Sequence, residues 1–295
     1  MASLSLFSLS FLLLTASAAS TLVLPIHLER TFPIASFRLN GSTDLRVLGI
    51  HYAKVKLGTP PTEFKVIIDT GSDLLWIPCV SCQSCSYNVF NASRSATYLK
   101  VDWDKKSNYD ILYGDQSRSG GYYASDTFTF DEFHGSMVTS NSSTVVFGCS
   151  TQESKYPSDK PFNGVLGLGP CKVSVLSQLA SKEMTPRVVS MCLGDYTQPV
   201  GFLVFGEAVD PNMVYTPLIP HKPRYNIQLE SIVVNGQVLP IDSAVFSAAK
   251  KPQGLDGLGT FMDSGTTLII KSVENVVPYF SLGRLCYLDS SKFVL

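Results

Sequence analysis

The sequence lacks an excess of charge of either sign. Its 23 Lys and Arg residues nearly balance its 24 Asp and Glu residues, so the formal net charge of the 295-residue chain is -1. A nucleic-acid surface would need a basic stripe, and we therefore expect no nucleic acid among the partners. After its N-terminus the chain also lacks any run of about 18 or more apolar residues, so we expect no membrane span. We expect a monomer.

Histidine is scarce, and no nucleophile motif accompanies it. The four histidines stand in no recognisable nucleophile context, and the chain has no Gly-x-Ser-x-Gly elbow, which argues against a serine or cysteine hydrolase. They are His27, His51, His134 and His221. Gly164, Gly167 and Gly169 are followed by neither Lys-Ser nor Lys-Thr, which argues against a phosphate-binding loop.

The first residues have the pattern of a targeting segment. Residues 4–14 are almost wholly Leu, Phe and Ser, and Ala16-Ser17-Ala18 offers small residues for cleavage. The apolar stretch is too short to span a bilayer, so we predict a signal peptide over residues 1–19, with a buried N-terminal helix as the alternative. We predict a pro-segment or N-terminal extension over residues 20–47, and a secreted zymogen that is extracellular or vacuolar.

Seven cysteines and three glycosylation sequons also bear on whether the protein enters the secretory pathway. In an oxidising compartment disulfides are the default, and the odd number leaves at least one thiol unpaired or intermolecular. Cys79, Cys82 and Cys85 have a spacing that also suits a metal, but no fourth ligand follows nearby, and we predict no metal site. The sequons predict a glycoprotein. They begin at Asn40, Asn91 and Asn141.

From His51 onward the pattern is that of short strands between turns. Residues 52–57 alternate apolar and polar side chains, and residues 64–68 form a fuller apolar run typical of a buried strand. Asn235-Gly236 predicts a two-residue hairpin turn. Further strands are predicted over residues 144–148, 201–205, 225–234 and 259–262, and one helix over 174–182. This pattern predicts an all-β protein of two packed lobes.

Two short segments of the chain are near-copies of each other. The first acid loop is Asp69-Thr70-Gly71-Ser72, and the second acid loop is Asp263-Ser264-Gly265-Thr266. Each follows an apolar run, and each glycine lets the backbone turn tightly and approach the partner loop. We expect Thr70 and Ser264 to tie the loops by side-chain to backbone hydrogen bonds. We expect Ser72 and Thr266 to bond the outer carboxylate oxygens.

Two matching carboxylates on matching loops suggest a paired-acid site. Asp69 alone would fit a turn or a helix cap, but the second copy argues against that alternative. Two acids held together cannot both ionise cheaply, so the pair keeps one proton and shares its apparent pKa values. The ionised member can take a proton from a bound water, and the protonated member can donate one to a peptide carbonyl.

A hairpin over residues 109–130, named here the lid hairpin, supplies a second feature. Ile111-Leu112-Tyr113-Gly114-Asp115 runs into Gly120-Gly121-Tyr122, with residues 116–119 as the predicted polar tip. A hairpin of this kind can exclude water from a peptide in a cleft. Without the acid pair, an ordinary surface hairpin would be an equally good interpretation.

Taken together, these motifs resemble those of the pepsin-type aspartic protease family, in its plant nepenthesin-like branch. The resemblance covers residues 48–270 and includes both acid loops, residues 56–61, Tyr113-Gly114-Asp115, residues 146–149 and residues 163–169. It implies catalytic roles for Asp69 and Asp263, and a substrate-binding flap with Tyr113, Gly114 and Asp115, in which Trp76 is the hydrogen-bond partner of Tyr113. It also implies that residues 163–169 support the first acid loop.

The resemblance implies further expectations for fold and activity. It implies a bilobal β fold with an N-terminal lobe over residues 48–208 and a partial C-terminal lobe over residues 209–295. It implies an endopeptidase that acts on protein or peptide substrates at acid pH and needs no cofactor.

The chain departs from the family pattern in two places. Residues 97–109 lack the cysteines that relatives usually carry there, with partners for the Cys79 cluster. Residues 264–295 show no second apolar-apolar-glycine strand, so we expect an incomplete second lobe and a truncated or spliced form with impaired activity. A non-enzymatic binding protein is the alternative, whereas a structural glycoprotein would leave the repeated acid loops unexplained.

Overall fold

The computed structural model describes residues 21–30, 49–83, 85, 88–134, 137–154, 162–193, 200–208, 214–246, 259–266, 286–287 and 292–294. The predicted signal peptide and residues 20 and 31–47 of the predicted N-terminal extension, Asn40 among them, lie outside these ranges. Among the described residues, no helix is long and apolar enough to cross a bilayer.

Strands make up most of the described chain. The first nine are β1 (Thr21–Arg30), β2 (Gly49–Leu57), β3 (Thr62–Asp69), β4 (Leu75–Gln83), β5 (Leu99–Lys100), β6 (Asn108–Leu112), β7 (Arg118–His134), β8 (Met137–Ser154) and β9 (Gly164–Gly167). The others are β10 (Val189–Cys192), β11 (Val200–Phe205), β12 (Tyr215–Pro217), β13 (Asn226–Ile227), β14 (Val233–Val234), β15 (Gln237–Val238), β16 (Thr260–Phe261), β17 (Cys286–Tyr287) and β18 (Lys292–Val294). One α-helix, α1 (Val175–Ser181), lies among the described residues, together with short 3₁₀ turns at Ala92–Arg94 and Ser243–Phe246. This composition confirms the predicted all-β fold class.

Twelve of the described strands form one large sheet, in the order β17-β10-β11-β1-β2-β3-β9-β4-β8-β7-β5, with β6 paired to β7. β7 and β8 form its longest ladder, from Arg118 opposite Ser154 to His134 opposite Met137. β9 lies parallel to β3 and antiparallel to β4. β9 therefore fills the space between the two strands that flank the first acid loop.

The main core lies against one face of this sheet. Val55 and Leu57 in β2 and Phe64, Val66 and Ile68 in β3 are fully buried there. The alternation along β3 turns the side chains between them to the other face.

A smaller apolar cluster occupies that other face of the sheet. Its buried members are Leu74, Trp76, Tyr109 and Val165, and the partly buried Ile67 and Tyr113 pack against them. The sheet thus carries a large structural core on one side and an aromatic layer beside the acid loops on the other.

β1 occupies a central place in the sheet, although its residues belong to the predicted N-terminal extension. It pairs antiparallel with β11 on one side and with β2 on the other. Leu22, Leu24 and Ile26 alternate along it and are buried in the main core. This segment therefore contributes to the packing of the fold.

Most of the predicted elements are confirmed. α1 begins after Ser174, whose side chain accepts a hydrogen bond from the backbone N–H of Ser177, as expected of a helix cap. Asn235 and Gly236 have positive φ angles of 50° and 78° and join β14 to β15, which confirms the hairpin turn.

The prediction of one strand over residues 225–234 is wrong. Only Asn226–Ile227 and Val233–Val234 are strands there. β13 pairs with the two-residue strand β16, and residues 228–232 have no ladder partner within the described chain. An apolar run without a neighbouring strand does not form a ladder, because its N–H and C=O groups need partners.

Disulfides use all three cysteines of the clustered motif. Cys79 is bonded to Cys149, at a sequence separation of 70, and Cys82 is bonded to Cys85. The cluster is therefore paired within the described chain without any insert. Cys171 is exposed and carries no disulfide.

Candidate active site

The first acid loop connects β3 to β4 and is hydrogen-bonded to the residues that follow β9. Asp69 is the last residue of β3 and lies opposite Gly167 of β9. The N–H of Leu168 donates to the carbonyl of Asp69 over 2.8 Å, and the N–H of Gly169 donates to the carbonyl of Ser72 over 2.8 Å. A Cβ on Gly167 would lie 2.4 Å from the backbone nitrogen of Leu74, so this close approach requires glycine.

The second acid loop follows the short strand β16. β16 pairs with β13, and the N–H of Met262 donates to the carbonyl of Tyr225 over 3.1 Å. Asp263 therefore begins its loop from a paired strand, as Asp69 does.

Reciprocal hydrogen bonds join the two loops. The N–H of Thr70 donates to Ser264 Oγ over 3.1 Å, and the N–H of Ser264 donates to Thr70 Oγ1 over 2.9 Å. Each hydroxyl then donates across to the opposite backbone, Thr70 Oγ1 to Met262 O over 3.0 Å and Ser264 Oγ to Ile68 O over 2.9 Å. These four bonds relate the loops by an approximate two-fold symmetry and match the ties expected from Thr70 and Ser264.

Each carboxylate is held by its own loop. Asp69 Oδ1 accepts from the N–H of Gly71 over 2.8 Å, and Asp69 Oδ2 accepts from the hydroxyl of Ser72. One donor on each oxygen therefore leaves the Asp69 carboxylate little rotational freedom.

The second carboxylate repeats this arrangement. Asp263 Oδ1 accepts from the N–H of Gly265 over 2.9 Å, and Asp263 Oδ2 accepts from Thr266 Oγ1 over 2.7 Å. In both loops the hydroxyl bonds the oxygen that the glycine N–H does not bond.

The carboxylates face each other across the two loop glycines. A Cβ on Gly71 would lie 2.5 Å from Asp263 Cγ, and a Cβ on Gly265 would lie 2.5 Å from Asp69 Oδ1. Real Cβ atoms do not approach other heavy atoms so closely, so only glycine at both positions permits the approach. The structure therefore brings Asp69 and Asp263 into one site.

The Asp69 carboxyl is buried, with only 6% of the residue exposed. Its pKa is raised from the ordinary value of 3.8 to about 7, chiefly by burial, because the charged form is poorly solvated. The neighbouring Asp263 carboxylate is the next cause of this rise, whereas the hydrogen bonds from Ser72 and Gly71 oppose it. Asp69 is thus an acid that resists ionisation at the pH where an exposed aspartate is fully charged.

The lid hairpin is formed by β6 and the start of β7. Its predicted tip over residues 116–119 is wrong, because Arg118 and Ser119 pair with Leu112 and Ile111. The turn instead spans residues 113–117. The reason lies in Asp115, whose Oδ1 accepts from the backbone N–H of Ser117 over 2.8 Å and closes the turn early.

The three predicted flap residues lie in this turn. Tyr113 OH accepts a hydrogen bond from Trp76 Nε1 over 2.6 Å, which links the lid hairpin to β4. A Cβ on Gly114 would meet no atom within 4 Å, so this residue borders open space. Tyr113 and Trp76 both belong to the aromatic layer beside the acid loops.

Sequence reasoning missed an ion pair beside the first acid loop. Arg224 Nη1 lies 3.0 Å from Asp73 Oδ2, and the N–H of Cys171 donates to Asp73 Oδ1 over 3.1 Å. Tyr225 OH donates to the carbonyl of Leu168 over 2.7 Å. Asp73 follows the first acid loop directly, but no local pattern points to a partner 151 residues away in sequence.

One group of ligand-type side chains lies close together within the described chain. Atoms of Cys82, Cys85 and Glu153 lie within 4.8 Å of one another. The two sulfurs are bonded to each other, and a disulfide sulfur cannot supply the thiolate that a metal requires. This group therefore gives no support for a metal centre.

The two described sequon asparagines have different surroundings. Asn91 is exposed and caps the 3₁₀ turn, with its Oδ1 accepting from the N–H of Ser93 over 3.1 Å. Asn141 is partly buried, and its Nδ2 donates to Glu132 Oε1 over 2.8 Å. The side chain of Asn91 is thus more accessible than that of Asn141 to an enzyme that attaches a glycan.

Comparison with known proteins agrees with this geometry. A family model described as eukaryotic aspartyl protease matches residues 50–281. Aspartic proteinase 36 of Arabidopsis thaliana is 32% identical over 257 residues, which cover 78% of this chain and 52% of that protein. Aspartic proteinase nepenthesin-2 of Nepenthes gracilis is 28% identical over 246 residues, which cover 75% of this chain and 52% of that protein. The chain thus spans about half the length of the curated relatives that it matches.

Proposed function

Because this chain belongs to the eukaryotic aspartyl protease family, as its motifs predict, we propose that it is an aspartic endopeptidase acting on protein or peptide substrates. One observation carries the proposal. Asp69 and Asp263 meet across two glycines, in loops tied to each other by reciprocal hydrogen bonds. A pair of carboxylates held so closely suits an acid and a base acting on one bond.

The proposed mechanism assigns different tasks to the two acids of the pair. Close carboxylates in aspartic proteases share one proton, because both cannot ionise together. The raised pKa of Asp69 supports this sharing here, since burial and the charge of Asp263 both favour the protonated pair. The ionised oxygen of the pair takes a proton from a water, and the protonated oxygen donates to the peptide carbonyl. The water oxygen attacks the carbonyl carbon in the same step and gives a tetrahedral diol. The C–N bond of this diol then breaks as the newly protonated acid gives its proton to the leaving nitrogen and the other acid takes one from a diol hydroxyl, so the pair again holds one proton.

The hydrogen bonds of the loops support a positioning role for the remaining motif residues. Thr70 and Ser264 hold the loops in register, and Ser72 and Thr266 fix the orientation of the two carboxylates. Gly71 and Gly265 allow the close approach. Preorganised acids of this kind need little rearrangement to reach the transition state.

The lid hairpin is proposed to cover the bound peptide. Tyr113, Gly114 and Asp115 form its turn, and the bond between Tyr113 and Trp76 holds the tyrosine beside the acid loops. Closure over a substrate would exclude bulk water from the pair.

We further propose an N-terminal lobe over residues 48–208 and a C-terminal lobe beginning at residue 209. The protein would be secreted or vacuolar and made as a zymogen, and its processed form would work at acid pH. The buried pairing of β1 with β2 and β11 supports a structural role for part of the predicted pro-segment. The exposed Asn91 supports its glycosylation.

A peptidase assay on the full chain tests the function. We expect cleavage of a quenched fluorescent peptide at acid pH, inhibition by pepstatin, and a loss of at least about 100-fold in kcat/KM for Asp69→Asn or Asp263→Asn. Asp102→Asn, at an exposed position away from the loops, is the matched control and should keep full activity. Pepstatin binding without turnover would favour the non-enzymatic alternative, and activity that survives both acid-loop variants would refute the proposal.

A further inference from the structure

A second concave site lies beside the first acid loop. It is a cavity of about 320 Å³ between the segment that follows β9 and the segment that precedes β13. Pro170, Leu176 and Arg187 line it from the first segment, and residues 218–222 with 224–225 line it from the second. The volume is within the range of cavities that hold small ligands or a single side chain of a larger one.

Basic side chains are concentrated in this cavity. Its lining includes the cationic Arg187, Lys222 and Arg224, and none of the described residues that line it is acidic. Asp73 pairs with Arg224 from outside the lining. Arg187 Nη2 donates to the carbonyl of Pro170, a neutral acceptor. The described lining therefore carries cationic side chains and no carboxylate.

Apolar side chains form the inner part of the same cavity. Leu176 is 3% exposed and Tyr225 is 6% exposed, and Leu218 and Ile219 complete the apolar lining. The hydroxyl of Tyr225 already donates to Leu168, so the ring offers mainly its apolar surface. Arg187, in contrast, is exposed at the rim. The cavity therefore combines a buried apolar floor with a cationic rim.

From this combination we propose that the cavity binds a carboxylate carried on an apolar stem. Guanidinium groups recognise carboxylates through paired, directional N–H donors, and the apolar floor would bury the stem. A free acyl amino acid and the C-terminal end of a peptide both present this chemistry. Arg224 lines the cavity and pairs with Asp73, so an occupant that binds Arg224 would be one contact away from the residue that follows the first acid loop.

Calorimetric titration of the full chain at low salt tests the proposal, independently of any peptidase activity. N-acetyl-leucine should bind saturably at one site, and its neutral amide should bind at least about tenfold more weakly, because it lacks the charge. A short glycine peptide ending in leucine distinguishes the two sources. Binding of this peptide as tightly as N-acetyl-leucine indicates a peptide-end site, and weaker binding indicates a small-acid site.

Variants locate the site on the structure. Arg187→Gln and Lys222→Gln should each weaken N-acetyl-leucine binding about tenfold, whereas Arg187→Lys should lose only part of it, because lysine keeps the charge but not the paired donors. Lys105→Gln, at an exposed turn outside the lining, is the matched control and should bind as the parent does. If Arg187→Gln does not fold, Arg187→Lys and Lys222→Gln carry the comparison.

Three results would overturn the proposal. They are the absence of saturable binding, equal affinity for the acid and its amide, and equal weakening by Lys105→Gln and the cavity variants.

Discussion

Removing the Asp69 carboxylate should change how stability depends on pH. The pKa of Asp69 is raised from 3.8 to about 7 in the folded chain, first by burial and then by Asp263. An acid with a raised folded pKa binds its proton more tightly in the folded state. Below about pH 4 both states are protonated, so Asp69 contributes nothing to the difference in free energy.

Between about pH 4 and pH 7 the unfolded chain ionises at this residue while the folded chain keeps the proton. Stability therefore falls as pH rises through this window, by about 1.4 kcal/mol per pH unit. The full loss, reached above the folded pKa, is on the order of 4 kcal/mol. Asp69→Asn removes this loss and keeps a side chain of the same size.

The assay is urea unfolding at several pH values, followed by tryptophan fluorescence. The variant should match the parent near about pH 4 and exceed it by a margin that grows to on the order of 4 kcal/mol by about pH 7.5. Asp102→Asn, at an exposed position, should follow the parent throughout. A margin for Asp69→Asn that stays constant or shrinks with rising pH would refute the reasoning.

Three further predictions concern packing, and urea unfolding checks each of them. Gly71→Ala should lower stability and, in the peptidase assay, abolish activity, because the new Cβ would lie 2.5 Å from the Asp263 carboxyl carbon. Gly114→Ala is the control, and it should leave the unfolding midpoint unchanged because no atom lies within 4 Å of the new Cβ. Cys79→Ser opens a disulfide of sequence separation 70 and should cost about 2–5 kcal/mol, and Cys82→Ser, at separation 3, should cost much less. Ile26→Ala should cost about 2–5 kcal/mol if β1 belongs to the folded core, and a negligible cost would show that β1 is dispensable.

The acid loops were predictable because each is a contiguous motif with its chemistry in adjacent residues. Two copies of one tetrapeptide were enough to anticipate the cross-loop bonds of Thr70 and Ser264. The place of β9 followed from its resemblance to the family pattern. The ion pair of Asp73 with Arg224 was not predictable, because its partners are 151 residues apart and neither lies in a motif.

Errors arose where tertiary partners override a local pattern. Residues 225–234 have strand-like composition, but a strand forms only where a neighbour accepts its hydrogen bonds, and β16 offers two residues. The lid hairpin turned earlier than expected because Asp115 bonds Ser117. The role of β1 was missed for the same reason, since its neighbours β2 and β11 are set by the fold and not by adjacent sequence.

The acid loops match in sequence and in hydrogen bonding, yet they differ in surroundings, and this difference determines their chemistry. Asp69 ends an eight-residue strand that pairs with β9, whereas Asp263 follows a two-residue strand and is partly exposed. Burial is the largest cause of the raised pKa of Asp69, and Gly265 of the second acid loop packs directly against this carboxylate. A change that moves the second acid loop away from Asp69 should therefore lower its pKa, because it admits water and removes the Asp263 charge.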